Sequence, residues 1–246
     1  MNNPISNELK NELNNEIKNE IKLVWIVDKN DMFETDWLYE LLKIGNIKYT
    51  EIEDLSRTKI FNNALIVFNH TAHDISYDKY FELYEKNNIP FIAIQLSDET
   101  LGVSYEFYKL NMCKYVFRNY YHPFHENNPK VKLFGMGYKK GFNTTETSYY
   151  ILPWYNWCFI GTIHSSERIR SLKYFENIRP YCLITGDTFG KGVDIHTYKE
   201  TMCQSRFALC LMGQGNIETF RIYEAMEANC IPVVIAYTKY QQIYPS

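Results

Sequence analysis

The sequence predicts an α/β fold of two successive halves, each a parallel sheet whose strands are joined by crossover helices. Short apolar runs alternate with stretches of helical spacing along most of the chain, the signature of strand, helix, strand repeated. That alternation lapses once near the middle and then restarts. At 246 residues the chain is long enough for one generous core or two small ones.

Taken in order, residues 1–22 form a polar, low-complexity segment in which Leu9, Leu13, Ile17 and Ile21 recur every four residues. That spacing makes a narrow helical stripe on an otherwise solvated segment, so a frayed helix or a disordered stretch is expected. Leu23 to Val27 reads as a strand, Phe33 to Leu42 as a helix, Lys48 to Ile52 and Ala64 to Phe68 as strands, Tyr77 to Lys86 as a helix, and Phe91 to Leu96 and Tyr115 to Phe117 as strands. This is a Rossmann-like half, assigned to residues 23–150. Its end, from Tyr120 to Pro153, is rich in Asn, Gly, Pro and Tyr with weak periodicity, and is expected to be a linker. The second half, 151–246, offers strands at Trp157 to Gly161, Tyr181 to Thr185, Phe207 to Leu211 and Ile231 to Ile235, with helices at Ser165 to Asn177, Ile195 to Gln204 and Glu218 to Ala228. Asn229 stands at the expected C-cap of the last helix, with Pro232 just beyond.

Composition narrows the function. A net charge of -3 provides no basic field for nucleic acid. The 16% aromatic content, with 21 Tyr and 15 Phe, reads mostly as coding bias, although Tyr-rich clefts suit sugars. Six cysteines at 113, 158, 182, 203, 210 and 230 include no C-x-x-C pair, so free thiols used as small core hydrophobes are expected. No run approaches the ~18 apolar residues of a membrane span, and the N-terminus lacks the pattern of a signal peptide. A cytoplasmic location is the expectation, or a form lacking its anchor.

The stretch from Arg206 to Ile235, "RFALCLMGQGNIETFRIYEAMEANCIPVVI", carries the chemistry. A buried strand runs into a small-residue loop and then a helix. Ligands bind at the carboxyl edge of parallel sheets, and helix N-termini there attract phosphate. Gly213 and Gly215 let backbone amides approach a pyrophosphate. Arg221 and Glu224 share a helix face, the one suited to a phosphate and the other to a ribose diol. The spacing alone is equally that of an ordinary surface i,i+3 pair.

This segment resembles the donor-site signature of exostosin-like glycosyltransferases, a "F-x-L-C-P-x-G" strand and loop followed by "R-x-x-E-A" and "G-C-I-P-V". The matching residues are Phe207, Leu209, Cys210, Gly213, Arg221, Glu224, Ala225, Cys230, Ile231, Pro232 and Val233. Leu211 or Met212 stands in place of the usual Pro, and Asn229 in place of the usual Gly. Asn is the next best residue for a left-handed cap. "WCFIGTIHSSERIRSLKYF" resembles the family's "F-x-G" strand and Arg-bearing helix, which makes Gly161, Arg168 and Arg170 candidates for donor phosphate contacts. Upstream, "FIAIQLSDET", "YVFRNYY" and "LFGMGYKKGF" resemble a subgroup near ribitol xylosyltransferases and viral exostosin-like proteins.

The resemblance implies a GT-B fold, two Rossmann-like domains whose parallel sheets face a central cleft. It also implies an inverting transfer of a sugar from a nucleotide-sugar, in all expectation UDP-linked and with xylose suggested by the subgroup, to a hydroxyl of a glycan or glycoprotein. Such chains commonly continue through further helices, so a truncated C-terminus is expected here. Asp98 and Glu99, just past the strand Phe91 to Leu96, are candidates for the base, with Asp98 preferred; an acidic helix N-cap pair is the plain alternative. His70 is the alternative base, and Arg118 and Asn119 are positioned to line the same cleft. No D-x-D loop is apparent, so no metal and no cofactor beyond the nucleotide-sugar donor are expected. The rival reading is a non-catalytic nucleotide-sugar or glycan-binding relative. A dehydrogenase-like domain is disfavoured because "IVDKNDMF" lacks a glycine-rich fingerprint.

Overall fold

The computed structural model describes residues 20–69, 76–99, 106–120, 125, 127–142, 152–186, 192–213 and 217–234. The chain divides into two compact units, one of Met1–Asp31, Glu40–Asn119 and Phe124–Phe134, the other of Met32–Tyr39, Tyr120–Pro123 and Gly135–Ser246. Each holds a wholly parallel sheet.

The first sheet has six strands: β1 (Ile21–Trp25), β2 (Tyr49–Glu53), β3 (Ala64–Asn69), β4 (Phe91–Leu96), β5 (Cys113–Arg118) and β6 (Val131–Leu133). Their order is β2-β1-β3-β4-β5-β6, so the chain first steps one way from β1 to β2 and then reverses to β3. α1 (Thr35–Ile44) and α2 (Ser76–Lys86) lie between these strands in sequence. Ile21, expected to close a helical stripe, instead opens β1, where it pairs with Tyr49 of β2. The stretch expected to be a linker contributes β6, which extends the sheet beside β5.

Aromatic residues build this unit's core. Phe81 of α2 stacks on Phe91 at 5.1 Å and on Phe107 at 4.3 Å, and Phe68 meets Phe81, Phe107 and Tyr77 edge-on or tilted. Rings of this size bury a large apolar area per residue. Much of the aromatic excess is therefore packing in this half.

The second sheet has four strands: β7 (Tyr155–Ile160), β8 (Tyr181–Ile184), β9 (Ser205–Cys210) and β10 (Ile231–Val234), in the order β10-β9-β7-β8. The helices between them are α3 (Ser166–Phe175), α4 (Ile195–Cys203) and α5 (Phe220–Glu227). Numbered within its own unit, this sheet repeats the order of the first four strands of the other. Alternation along the strands sorts two core clusters. Cys158, Ile160, Ala208 and Cys210 pack with Met202 of α4 and Ala225 of α5, while Trp157, Phe159, Leu209 and Leu211 pack with Leu172 of α3. All six cysteines are free thiols, and five of them lie in or against the first of these clusters.

Three helices end alike. After α5, Asn229 takes a left-handed φ of 54°, its amide bonds to Met226 O, and the next amide, Cys230, bonds to Ala225 O. This is the Schellman motif. Asn46 after α1 and Asn88 after α2 do the same, with φ of 51° and 55°. Asparagine serves here where glycine is the commoner choice, because its short polar side chain tolerates the left-handed region.

Candidate functional site

In a sheet ordered like the second one, neighbouring strands whose connections leave in opposite directions open a gap at their carboxyl ends. Here the pair is β7 and β9. Gly161 follows β7 with φ +157°, and a Cβ built on it would lie 2.5 Å from Nη2 of Arg221. The glycine thus makes room for a guanidinium. Arg221 comes from the first turn of α5, donates from Nε and Nη2 to Ile160 O at 3.1 and 2.7 Å, and lies 5.0 Å over the Phe159 ring. Arg168, from the first turn of α3, is buried; it donates from Nε and Nη2 to Met212 O at 2.9 and 2.7 Å and from Nη1 to Thr162 O at 2.6 Å. It therefore ties the segment after β7 to the segment after β9. Ser165 is the N-cap of α3, its side chain accepting from Arg168 N. Gly213, half-buried, follows the carbonyl that Arg168 holds. Gly215 lies outside the described residues. Arg170 is exposed on α3.

The acids of α5 and its approach turn toward a different partner. Glu224 is 2% exposed; its Oε1 accepts from Lys139 N at 3.2 Å and its Oε2 from the Tyr198 hydroxyl at 2.5 Å. Glu218, also buried, accepts from Met136 N at 3.1 Å and from the Tyr223 hydroxyl. Asp36 accepts from Gly141 N at 2.7 Å. Three carboxylates thus pin three amides of the segment 135–142, whose Lys140 N also bonds to Phe33 O and whose Gly135 O takes the Trp37 indole N–H. Side chains at Gly135 and Gly137 would collide with Tyr223 and Trp37. An amide left without its acceptor in such a setting costs about 1–3 kcal/mol. Burial raises the Glu224 carboxyl above its ordinary range, against the lowering pull of Tyr198, Arg221 and Lys139. The Tyr198 hydroxyl is pushed well up by burial and by the Glu224 charge.

Sequence reasoning paired Arg221 with Glu224 and read neither of these attachments. The spacing "GMGYKKG" was the available signal, since glycines two apart in a polar loop mark close backbone approach. The N-terminus of α5 lies beside this arrangement. Thr219 has the extended N-cap conformation but makes no side-chain cap bond. The first amides of a helix are an electropositive end that an anion satisfies.

The carboxyl edge of the first sheet is organised otherwise. Asp98 is 2% and Arg118 is 1% exposed, and they form an ion pair with Nη2 to Oδ2 at 3.2 Å. Gln95 Nε2 donates to the same Asp98 oxygen at 2.9 Å, Tyr108 donates its hydroxyl to Gln95 Oε1, and Arg118 Nη1 reaches the Tyr108 oxygen at 3.2 Å. The four side chains close a ring of hydrogen bonds. Asp98, expected as the leading base, is thereby held inside the protein with Oδ2 accepting two bonds; the following Glu99 is half-buried. Asn119, 2% exposed, accepts from Ser97 N at 3.1 Å. His70 lies outside the described residues.

Among the described residues no three His, Cys, Asp or Glu side chains are grouped so as to hold a metal ion, and no helix is long and apolar enough to cross a membrane. Residues 144–243 match the family model described as the RXYLT1 C-terminal domain. No curated protein matches the chain. The matched stretch contains the whole second sheet with α3, α4 and α5. The match likens that stretch, 100 of the 246 residues, to the RXYLT1 C-terminal domain.

Proposed function

We propose that the chain is an inverting glycosyltransferase of GT-B type that moves a sugar, xylose as the first candidate, from a UDP-sugar to a hydroxyl of a glycan acceptor. The observation that carries this reading is the coincidence of the family match with the arginine-bridged gap between β7 and β9. In this proposal the donor diphosphate lies at the N-terminus of α5, beside Gly161 and Gly213, where Arg221 supplies positive charge. Arg168 and Glu224 act one step back: Arg168 holds the two strand-end segments together, and Glu224 fixes the segment 135–142. The acceptor is taken by the first sheet, near Asn119. Its hydroxyl oxygen attacks the anomeric carbon, the bond from that carbon to the diphosphate oxygen breaks with its electron pair, and the hydroxyl proton passes to a carboxylate. Glu99 is the better candidate for that carboxylate, because Asp98 is enclosed in its ring with Arg118. No metal takes part in the proposed step.

One observation favours a second reading, a nucleotide-sugar binder without turnover: Asp98, one of the two acids at the end of β4, is ion-paired and buried. Thermal-shift titration with UDP-xylose, UDP-glucose, UDP-N-acetylglucosamine and GDP-sugars, followed by assay of donor hydrolysis, separates the readings. A transferase stabilised by one UDP-sugar and hydrolysing it slowly, with turnover lost in Glu99→Gln, is expected. Stabilisation with no hydrolysis selects the binder, and no stabilisation by any of the sugars overturns both.

A further inference from the structure

Strands β3 and β4 end level with one another, and β5 ends one residue short of them. Asn69, the last residue of β3, is in register with Leu96, and Gln95 is in register with Arg118, so Asn119 also stands level with Leu96. Two asparagines therefore flank the end of β4, about 10 Å apart by strand spacing. Each carries a buried polar atom with no hydrogen-bond partner among the described residues, Oδ1 of Asn69 and Nδ2 of Asn119. The Asn119 amide has a fixed polarity: its oxygen accepts from Ser97 N, so its nitrogen is turned to donate elsewhere. Between the two, Ser97 holds a left-handed φ of 55°, a conformation that a non-glycine residue keeps only where its surroundings impose it. The cation beneath them, Arg118, is already paired with Asp98 and Tyr108.

The geometry points to a two-point hydroxyl clamp, with Asn69 accepting from one hydroxyl and Asn119 donating to another hydroxyl of a neutral sugar or polyol residue. Unpartnered amides of opposite polarity call for a ligand that both donates and accepts, which hydroxyls do and a phosphate or carboxylate does not. The neutralised Arg118 gives an anion no counter-charge. As the acceptor subsite this rests on the transferase reading, and it adds Asn69 to the residues that select the acceptor.

Saturation-transfer NMR on the full chain tests it, with xylitol as the neutral probe, inorganic phosphate as the anionic competitor and UDP as an independent probe of the second sheet. Asn69→Leu loses no side-chain hydrogen bond among the described residues, so it is expected to fold and to melt at or above the temperature of the parent. Its xylitol saturation should fall about tenfold, with UDP saturation unchanged. Asn119→Ala should lose xylitol as well. Absence of xylitol saturation in the parent, its survival in Asn69→Leu, or its displacement by phosphate overturns the clamp. Failure of UDP alone overturns the transferase reading and leaves the clamp to the xylitol result.

Discussion

The two sheets share a strand order and differ in what they do with charge. Each carries an arginine on the carbonyl at the end of its first strand: Arg57 donates to Ile26 O at 3.2 Å and stacks on Tyr77, and Arg221 donates to Ile160 O and stacks on Phe159. Beyond that likeness they part. At the first sheet, charge is balanced internally, Asp98 against Arg118, and the whole group is sealed from water. At the second, the arginines meet carbonyl dipoles, while the acids of α5 and its approach turn to the amides of 135–142. A guanidinium on a carbonyl keeps its full charge, as Arg168 and Arg221 do at the second sheet, whereas Arg118 at the first is matched by the carboxylate of Asp98.

The largest effect is expected from breaking the internal balance. Asp98→Ala leaves Arg118 buried with its counter-ion removed, a change that costs about 3–5 kcal/mol. Urea unfolding followed by Trp25 fluorescence reads it, since that indole is fully buried in β1. The double variant with Arg118→Met should recover a good part of the loss. If it does not, the pair is not the unit described.

Next comes the pinned segment. Glu224→Ala strips acceptors from Lys139 N and the Tyr198 hydroxyl, a loss of about 2–4 kcal/mol if both are left unsatisfied. Glu224→Gln can accept from the amide and still bond to the tyrosine, and should cost much less. The pH dependence has a definite sign. Because burial raises the folded carboxyl, the folded chain holds this proton more tightly than the unfolded one. Its contribution is full below the unfolded value, about pH 4, and is lost as pH rises through the folded value. The melting temperature of Glu224→Gln relative to the parent should therefore climb from acid toward neutral pH. A difference that stays flat, or climbs the other way, contradicts the buried placement.

A smaller effect tests the gap at the second sheet. Gly161→Ala adds a Cβ against the Arg221 guanidinium at a φ that favours glycine, and should cost about 1–3 kcal/mol. Arg221→Ala in the same background should relieve the steric part. At the first sheet no such glycine follows β1, where Ile26 continues into Val27, so the dependence is specific to the second.

What could be read beforehand follows from the range of the forces involved. Strands such as Ala64–Asn69 and Phe91–Leu96 announce themselves through unbroken apolar runs, and α5 through its cap and its spacing. β6, three residues of half-exposed Val131, Lys132 and Leu133, has no period to detect and forms because β5 offers an open edge. Arg221 was recognisable as a candidate because its motif is local. The tie from Glu224 to Lys139 spans 85 positions, and the ring of Gln95, Asp98, Tyr108 and Arg118 closes only when two strands and a short turn meet. A strand-end acid reads as a base in sequence; its partner, twenty residues away, decides whether it is one.

The smallest effect concerns the caps, and it runs in the stabilising direction. At Asn229 the left-handed φ of 54° suits glycine better than any residue with a Cβ. The amides that close the motif, Asn229 to Met226 O and Cys230 to Ala225 O, do not depend on the side chain. Asn229→Gly should therefore keep the motif and gain up to about 1 kcal/mol, partly offset by the freer unfolded chain. The gain should appear as a small rise in melting temperature, without change in ligand response, because the cap lies at the end of α5 away from Arg221. An equal gain at Asn46→Gly would mark it as a property of the motif; a gain at Asn46 with a loss at Asn229 would mean that the Asn229 side chain holds something the cap alone does not require.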